Sequence, residues 1–287
     1  MRISSLYGSR PVFSFEFFPP KTDAGYKTLY RTIEELKTLD PAFVSVTSHA
    51  RGANRSQTLE LVTRIQDELG ITAVAHLPCA GQTRDEIHTA LERFRDAGIE
   101  NIMALGGDPP SDEPDWQPGP DSFRYANELV SYIKEHFDFT LGGGCYPEKH
   151  HLAPSFEADI ENLKRKIDAG VEVLITQLFL DNVHYFRFMD RVHAAGIDVP
   201  VVAGIMPMIS AHNLRTAMRL SPGSETPADL ERALEAAEGD AGRSLEIGVA
   251  WATEQCRELI ERGAPGIHFY TLNKSSATRR VRENLDG

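Results

Sequence analysis

Thr72-Ala73-Val74-Ala75-His76-Leu77-Pro78-Cys79 reads as a short strand, and Arg84 to Ala97 after it places Ile87, Ala90, Leu91 and Phe94 at the spacing of one helix face. Gly98 then stops the helix, and Asn101-Ile102-Met103-Ala104-Leu105-Gly106-Gly107-Asp108 reads as the next strand. Strand, helix, glycine and strand in this order make one βαβ unit with a parallel pair of strands.

The same pattern runs along the chain. Strands are predicted at Phe13 to Phe17, Phe43 to His49, Thr72 to Cys79, Asn101 to Asp108, Phe139 to Pro147, Val171 to Phe179, Pro200 to Met208 and Gly266 to Asn273. Amphipathic helices are predicted between them at Lys27 to Leu39, Gln57 to Leu69, Arg84 to Ala97, Tyr125 to Phe137, Phe156 to Ala169, His184 to Ala195 and Ala211 to Leu220. Gly98, Gly170, Gly196 and Gly263 end helices where a left-handed residue turns the chain back. Eight such units predict an α/β fold, a closed (β/α)8 or TIM barrel, as a single domain over residues 1–287. An open doubly wound sheet is the structural rival. The long connection from Ser221 through Gly263 is predicted to hold helices Ala228 to Glu238 and Ala241 to Arg262. It and the loop after Asp108, which carries Trp116, border the end where lids belong.

Composition narrows the function. Against 30 basic residues stand 42 acidic ones, a formal charge of -12, and no basic tract would track a phosphate backbone, so nucleic acid is not an expected partner. No stretch approaches the roughly 20 apolar residues that span a bilayer, and the first ten residues lack the apolar region of a secretory signal; a cytoplasmic protein is expected, with no membrane partner. Cys79, Cys145 and Cys256 are isolated, which predicts reduced, buried thiols rather than disulfides or a structural zinc.

Nearly every apolar run stops on a residue able to do chemistry: Glu16, Thr47, His76, Asp108, Tyr146, Gln177, and Tyr270 with Asn273. That predicts one site at one end of the barrel. In Phe13-Ser14-Phe15-Glu16-Phe17, alternation places Ser14 and Glu16 on the face opposite the three phenylalanines. Glu16 then faces the lumen or its mouth, where desolvation would raise its pKa and suit it to general acid work; the alternative is a structural carboxylate paired with a lumen cation. Gly106 and Gly107 let the backbone approach a ligand beside Asp108, which alternatively only caps a turn. Gly142-Gly143-Gly144 clears space for a flat ring or else simply weakens its strand. His76 and Gln177 are neutral groups suited to the polar edge of a heterocycle, although a lone strand histidine is commonly a core residue. His150 and His151 lack a companion ligand set of recognised spacing, so no metal is predicted. The helix opening at Ser155 carries Asp159, Asn162 and Lys166 near one face with Arg165 beside them, fit for a ribose and a pyrophosphate or for a solvated surface. No Gly-x-Gly-x-x-Gly follows any strand, which argues against a Rossmann-type nicotinamide site.

Phe13-Ser14-Phe15-Glu16-Phe17-Phe18-Pro19-Pro20-Lys21, Phe43-Val44-Ser45-Val46-Thr47, Ala75-His76-Leu77, Gly107-Asp108-Pro109, Tyr125-Ala126, Tyr146-Pro147-Glu148, Phe156-Glu157-Ala158-Asp159, Ile175-Thr176-Gln177-Leu178-Phe179 and His268-Phe269-Tyr270-Thr271-Leu272-Asn273 together resemble the methylenetetrahydrofolate reductases, in order across almost the whole chain. The resemblance implies a flavoprotein barrel that reduces 5,10-methylenetetrahydrofolate to 5-methyltetrahydrofolate with NADH or NADPH, supplying methyl groups toward methionine. By it, Glu16 is the general acid that opens the imidazolidine ring, and Asp108 is the carboxylate that steadies the developing iminium cation. Gln177 and Tyr270 would bind the pterin side of the substrate, and Lys274 would lie near the folate tail. Thr47, His76, Gly107, Asp108, Tyr125, Ala126, Tyr146, His150, Asp159, Asn162, Arg165 and Lys166 match positions that hold FAD. Nicotinamide and folate would visit one flavin face in turn, giving ping-pong kinetics.

Two departures stand out. Gly106 replaces an arginine common before the Gly-Asp pair, which weakens the expected hold on FAD. Ser48-His49-Ala50-Arg51 also departs from the family's usual residues, so Arg51 or Arg55 is a candidate for compensating charge. Gly106 motivates an alternative, direct hydride transfer from NAD(P)H to folate without flavin. A barrel methyltransferase would need cobalamin or clustered thiolates, and a non-catalytic folate-binding module would tolerate loss of Glu16. The chain ends near Gly287, so the regulatory domain of longer family members is not expected. A homo-oligomer is compatible with the sequence, which decides neither its order nor the choice of NADH over NADPH.

Overall fold

Eight parallel strands hydrogen-bond in chain order and close on themselves in the computed structural model, which describes residues 1–8, 10–48, 55–109, 113 and 115–286. They are β1 Val12–Phe17, β2 Phe43–Val46, β3 Ala73–Pro78, β4 Asn101–Leu105, β5 Thr140–Cys145, β6 Val173–Thr176, β7 Val201–Ile205 and β8 Gly266–Tyr270. Interleaved with them are α1 Asp23–Lys37, α2 Arg55–Leu69, α3 Arg84–Asp96, α4 Ala126–His136, α5 Phe156–Asp168, α6 Asn182–Ala194, α7 Ala211–Leu220, α8 Ala228–Ala236, α9 Ala241–Glu261 and α10 Ser276–Asp286. The fold is the (β/α)8 barrel, and the open-sheet rival is excluded because β1 pairs with β8.

Local chemistry sets the element ends. Thr83 and Glu86 form a reciprocal capping box at the start of α3. Gly98, Gly170, Gly196 and Gly263 take positive φ values of 71°, 125°, 69° and 90°, as their positions after helices predict. Several strands are shorter than their apolar runs: β2 stops at Val46, β4 at Leu105 and β7 at Ile205. Hydrophobicity continues past β6 and β7 because Leu178, Leu180, Met206 and Met208 bury against α7 and α8.

That packing alters the outer ring of helices. The helix after β7, α7, does not complete the outer ring; α9 packs on β7, α6 and α10, while α7 and α8 form a small second core over the C-terminal ends of β6 and β7. The two helices predicted in the long connection are present and border the site end. α10 is unannounced by sequence, since it buries Ala277, Thr278 and Val281 among charged neighbours and so carries a thin apolar stripe.

Alternate residues of each strand fill the lumen, where Val12, Phe43, Val74, Met103, Val173, Ile175 and Val202 make an apolar plug. Ile3 closes its N-terminal end: the Ile3 amide donates to Asn101 Oδ1 at 2.8 Å, and Asn101 Nδ2 donates to the Met1 carbonyl at 2.9 Å. Among the described residues, the lumen therefore opens at the strands' C-terminal end alone. The three cysteines are free and buried, and among the described residues no helix is long and apolar enough to cross a membrane.

Candidate active site

Glu16 leaves β1 at the mouth of the lumen, its side chain 18 % exposed, and strands on both sides supply its partners. His76 Nε2 from β3 stands 3.3 Å from Glu16 Oε2, and His268 Nε2 from β8 stands 3.5 Å from it. Ser45 Oγ from β2 donates to the same oxygen at 3.4 Å. The expected rise in the Glu16 pKa is not found. Burial pushes the carboxyl up, but His76, His268 and Ser45 outweigh it and hold Glu16 below the ordinary carboxylate range. The phenylalanines of β1 do not desolvate it, because Phe15 and Phe17 point outward into the helix layer. His76 is itself pushed down, chiefly by burial, and its Nε2 is within ion-pair reach of Glu16 yet unaligned for a hydrogen bond.

Tyr270 roofs this cluster. Its hydroxyl donates to the Thr176 carbonyl at 2.6 Å, its ring meets His268 edge-on at 5.5 Å, and burial raises its pKa well above normal. Gly204 on β7 is what lets the ring lie there, since a Cβ would fall 2.7 Å from Tyr270 Cε2. Asn273, read from sequence as a chemical residue, serves the framework instead. Its Oδ1 accepts from the Phe18 amide at 3.0 Å and its Nδ2 donates to the Phe18 carbonyl at 2.8 Å, tying the loop after β8 to the loop after β1.

Across the mouth, β4, β5 and α5 form a second group. Tyr146 packs edge-on against His150 at 4.5 Å, and His150 stacks on His151 at 4.7 Å. Burial first, and then its acidic neighbours Cys145, Asp159 and Asp108, push the Tyr146 phenol up to about 12. His150 is pushed down by burial and by His151. The His150 amide donates to Asp159 Oδ2 at 2.9 Å, Arg165 donates to Asn162 Oδ1 at 3.2 Å, and Lys166 Nζ reaches the Gly144 carbonyl at 2.5 Å. Asp108 is exposed at the rim beside Gly107, which needs its φ of 76° and lies so close to Pro78 that a Cβ would stand 2.7 Å from it.

Of the three consecutive glycines only Gly144 clears the mouth. Gly142 makes room for Met103 inside the lumen, and Gly143 packs against Val171 on the outer face. Gln177 Oε1 accepts from the Leu178 amide at 2.9 Å, which leaves its NH2 as the group to offer a ligand. Thr47 is half-buried, with its amide donating to the Phe17 carbonyl at 2.9 Å. Tyr125 and Ala126 open α4, Tyr125 being 59 % exposed, and Lys274 is exposed on the turn after β8. The side chains of Arg51 and Arg55 lie outside the described residues.

Two features were missed by sequence reasoning. Alternation in Gly266–Tyr270 already places His268 on the face of Tyr270, so the buried histidine was findable. Glu148, 7 % exposed, was not: its Oε1 accepts from the Glu225 amide at 2.6 Å, and His184 Nε2 lies 3.6 Å from Glu148 and 3.5 Å from Glu225. Burial raises the Glu148 pKa, and the contact fastens the segment before α8 to the site end.

Comparison with known proteins gives the family. The family model described as methylenetetrahydrofolate reductase matches residues 3–286. The chain belongs to the methylenetetrahydrofolate reductase family. It is 37% identical over 276 residues to the 5,10-methylenetetrahydrofolate reductase of Escherichia coli, covering 95% of this chain and 90% of that one. It is equally 37% identical to methylenetetrahydrofolate reductase 1 of Schizosaccharomyces pombe, of which it spans 45%. Among solved structures, a Clostridium thermocellum protein described as uncharacterized and binding two copies of 5-methyl-5,6,7,8-tetrahydrofolic acid superposes with a TM-score of 0.62, covering 96% of this chain and 94% of that one; at 15% identity this shows a shared fold.

The residues present fit the dinucleotide cofactor that the reductase family implies. Bare backbone at Gly106 and Gly144 suits a flat ring, a Cβ on Gly106 would meet nothing within 4 Å, and Arg165 and Lys166 offer charge for a pyrophosphate.

Proposed function

We propose that this chain reduces 5,10-methylenetetrahydrofolate to 5-methyltetrahydrofolate with NADH or NADPH, by a ping-pong cycle through FAD held at the barrel mouth. The observation that carries the reading is Glu16, a half-buried carboxylate ringed by two imidazoles and a serine hydroxyl, across the mouth from bare glycine backbone.

The substrate resists reduction until a C–N bond of its imidazolidine ring opens. Glu16 is placed to protonate the departing nitrogen, and in the open mouth it is ionised, so its proton must be supplied when the substrate covers the site and removes water. Asp108 at the rim sets negative charge beside the cation that forms. Gln177 offers its NH2 to the pterin, Tyr270 supplies a flat surface beneath it, and Lys274 stands outside where an anionic tail would emerge. Thr47, His76, Gly107, Tyr125, Ala126, Tyr146, His150, Asp159, Asn162, Arg165 and Lys166 are the residues that would hold FAD. Held by these residues, FAD would supply hydride transfer between nicotinamide and folate, so the protein need provide only one open face for both.

The test is an anaerobic visible spectrum of purified protein, followed by NAD(P)H and then methylenetetrahydrofolate. Flavin bands that bleach and then recover support the relay. A colourless protein that oxidises NAD(P)H only with folate present replaces it by direct transfer, and inertness to both overturns the reductase reading.

Gly106 gives a second prediction. Its backbone does not adopt positive φ and its side-chain position is open, so Gly106→Arg should fold normally. A guanidinium there adds a charge-assisted hydrogen bond worth about 1.5–3 kcal/mol, or roughly tenfold or more tighter flavin. Fluorescence titration of the apoprotein with FAD measures it, and equal affinity in both proteins would remove Gly106 as the weak point.

A further inference from the structure

The turn that carries His150 is folded around a lysine to which the reductase reading so far gives no role. Lys149 Nζ donates to the Ala153 carbonyl at 2.6 Å and to the His150 carbonyl at 3.0 Å, so its ammonium is satisfied by the backbone of its own turn. The Lys149 amide donates back to the Tyr146 carbonyl at 3.1 Å, and the Ala153 amide to the His150 carbonyl at 2.9 Å. Lys149 also holds a φ of 73°, a left-handed conformation that favours glycine over any residue with a Cβ. Leu152 is 77% exposed, so apart from Ala153 no apolar burial shapes the turn. The charge-assisted bonds of the ammonium do.

Within that turn the His150 imidazole has one favoured tautomer. The Leu152 amide donates to His150 Nδ1 at 3.2 Å, and a backbone N–H can only donate, so Nδ1 is the acceptor and the ring hydrogen sits on Nε2. A hydrogen on Nδ1 would set two N–H groups against each other. Burial and the neighbouring His151 push the ring in the same direction, toward its neutral form. The ring plane is fixed as well: Tyr146 meets it edge-on at 87°, His151 stacks on it at 22°, and Asp159 Oδ2 holds the His150 amide. Nε2 has no partner among the described residues, which leaves a single N–H donor of set direction beside the residues read as holding FAD.

We propose that Lys149 is a positioning residue: by closing the turn over residues 149–153 it brings the Leu152 amide onto His150 Nδ1 and so fixes the ring hydrogen on Nε2, as a donor to an acceptor oxygen of the flavin dinucleotide. The proposal rests on the reading that places FAD beside His150. A histidine released from the Leu152 amide exchanges between tautomers and offers Nε2 as an acceptor part of the time, facing an oxygen that also only accepts. The turn removes that second state before the cofactor arrives, so no ordering of the ring is left to be done on binding.

Lys149→Gly removes the ammonium while suiting the positive φ, so the variant should fold. The first readout is the imidazole 15N spectrum of histidine-labelled apoprotein, with the His150 signals assigned by their loss in His150→Gln. Wild type should show one nitrogen bearing hydrogen and one bare, the bare one being Nδ1, and Lys149→Gly should draw the two toward a common averaged position. The second readout is fluorescence titration with FAD, whose dissociation constant should rise about tenfold in Lys149→Gly, the loss of one hydrogen bond. Lys149→Arg keeps a cationic donor and should restore both readouts, with affinity within about threefold of wild type. An averaged ring in wild type, or weaker FAD binding in Lys149→Gly with the ring spectrum unchanged, would overturn the proposal. Should Lys149→Gly fail to fold, Lys149→Met is read in the same way. Wild type that binds no FAD would defeat the cofactor reading instead, and the apoprotein spectrum would still decide whether Lys149 sets the tautomer.

Discussion

Glu16→Gln should abolish folate-dependent turnover, by about 10²- to 10⁴-fold, while leaving a folded barrel whose flavin is still bleached by NAD(P)H. Glutamine keeps the side chain's size and most of its hydrogen bonding but carries no transferable proton. On the proposed flavin relay only the half-reaction that opens the folate ring needs that proton, so separate stopped-flow measurement of the two halves is decisive. Equal loss in both halves would make Glu16 a structural group. Acid stability adds a check. A carboxyl held below its ordinary value of 4.5 in the folded state contributes stability that is full above the unfolded-state value and disappears as the pH falls through the lower folded one. Wild type should therefore lose a share of its stability below about pH 4.5 that Glu16→Gln lacks, as measured by urea midpoints across that range.

Gly204→Ala is expected to destabilise the fold by about 3 kcal/mol, lowering Tm on the order of 5–10 °C. The new methyl would collide with the Thr176 carbonyl and lie 2.7 Å from Tyr270 Cε2 and 2.8 Å from its hydroxyl, all inside a closed barrel with little room to relax. Relief requires Tyr270 to leave the Thr176 carbonyl, so folate-dependent activity should fall along with stability. Gly106→Ala is the control: the same methyl at an open position should change Tm by less than about 1–2 °C. Equal thermal midpoints for the two variants would mean that the β6–β7–β8 contact yields more readily than its geometry implies.

The barrel was legible because each unit repeats a short apolar run, an amphipathic helix and a glycine cap, signals that act over a few residues. Strand ends were less so, since Leu178, Leu180, Met206 and Met208 remain apolar beyond the sheet in order to bury α7 and α8. The exchange of α7 for α9 in the outer ring depends on which helix reaches β7, and no local spacing encodes that. The positions of Glu16 at the barrel mouth and Asp108 at its rim were readable from their places at the strand ends. The direction of the Glu16 shift was not, because it is set by His76 and His268 from other strands, while the phenylalanines that suggested desolvation face away.

The Ser14–His268 contact joins residues 254 positions apart, and the Ser45–His268 contact joins residues 223 apart. Half of the polar cluster around Glu16 is thus synthesised at the beginning of the chain and its centre near the end. A nascent polypeptide that has completed seven strands has its glycine wall but lacks the imidazole, the roof over it and the seam that aligns both. Chemistry begins only when the ring shuts, so a chain stalled in translation or stopped before β8 is silent rather than partly active, and the slow, long-range closure step of folding is also the step that switches the enzyme on.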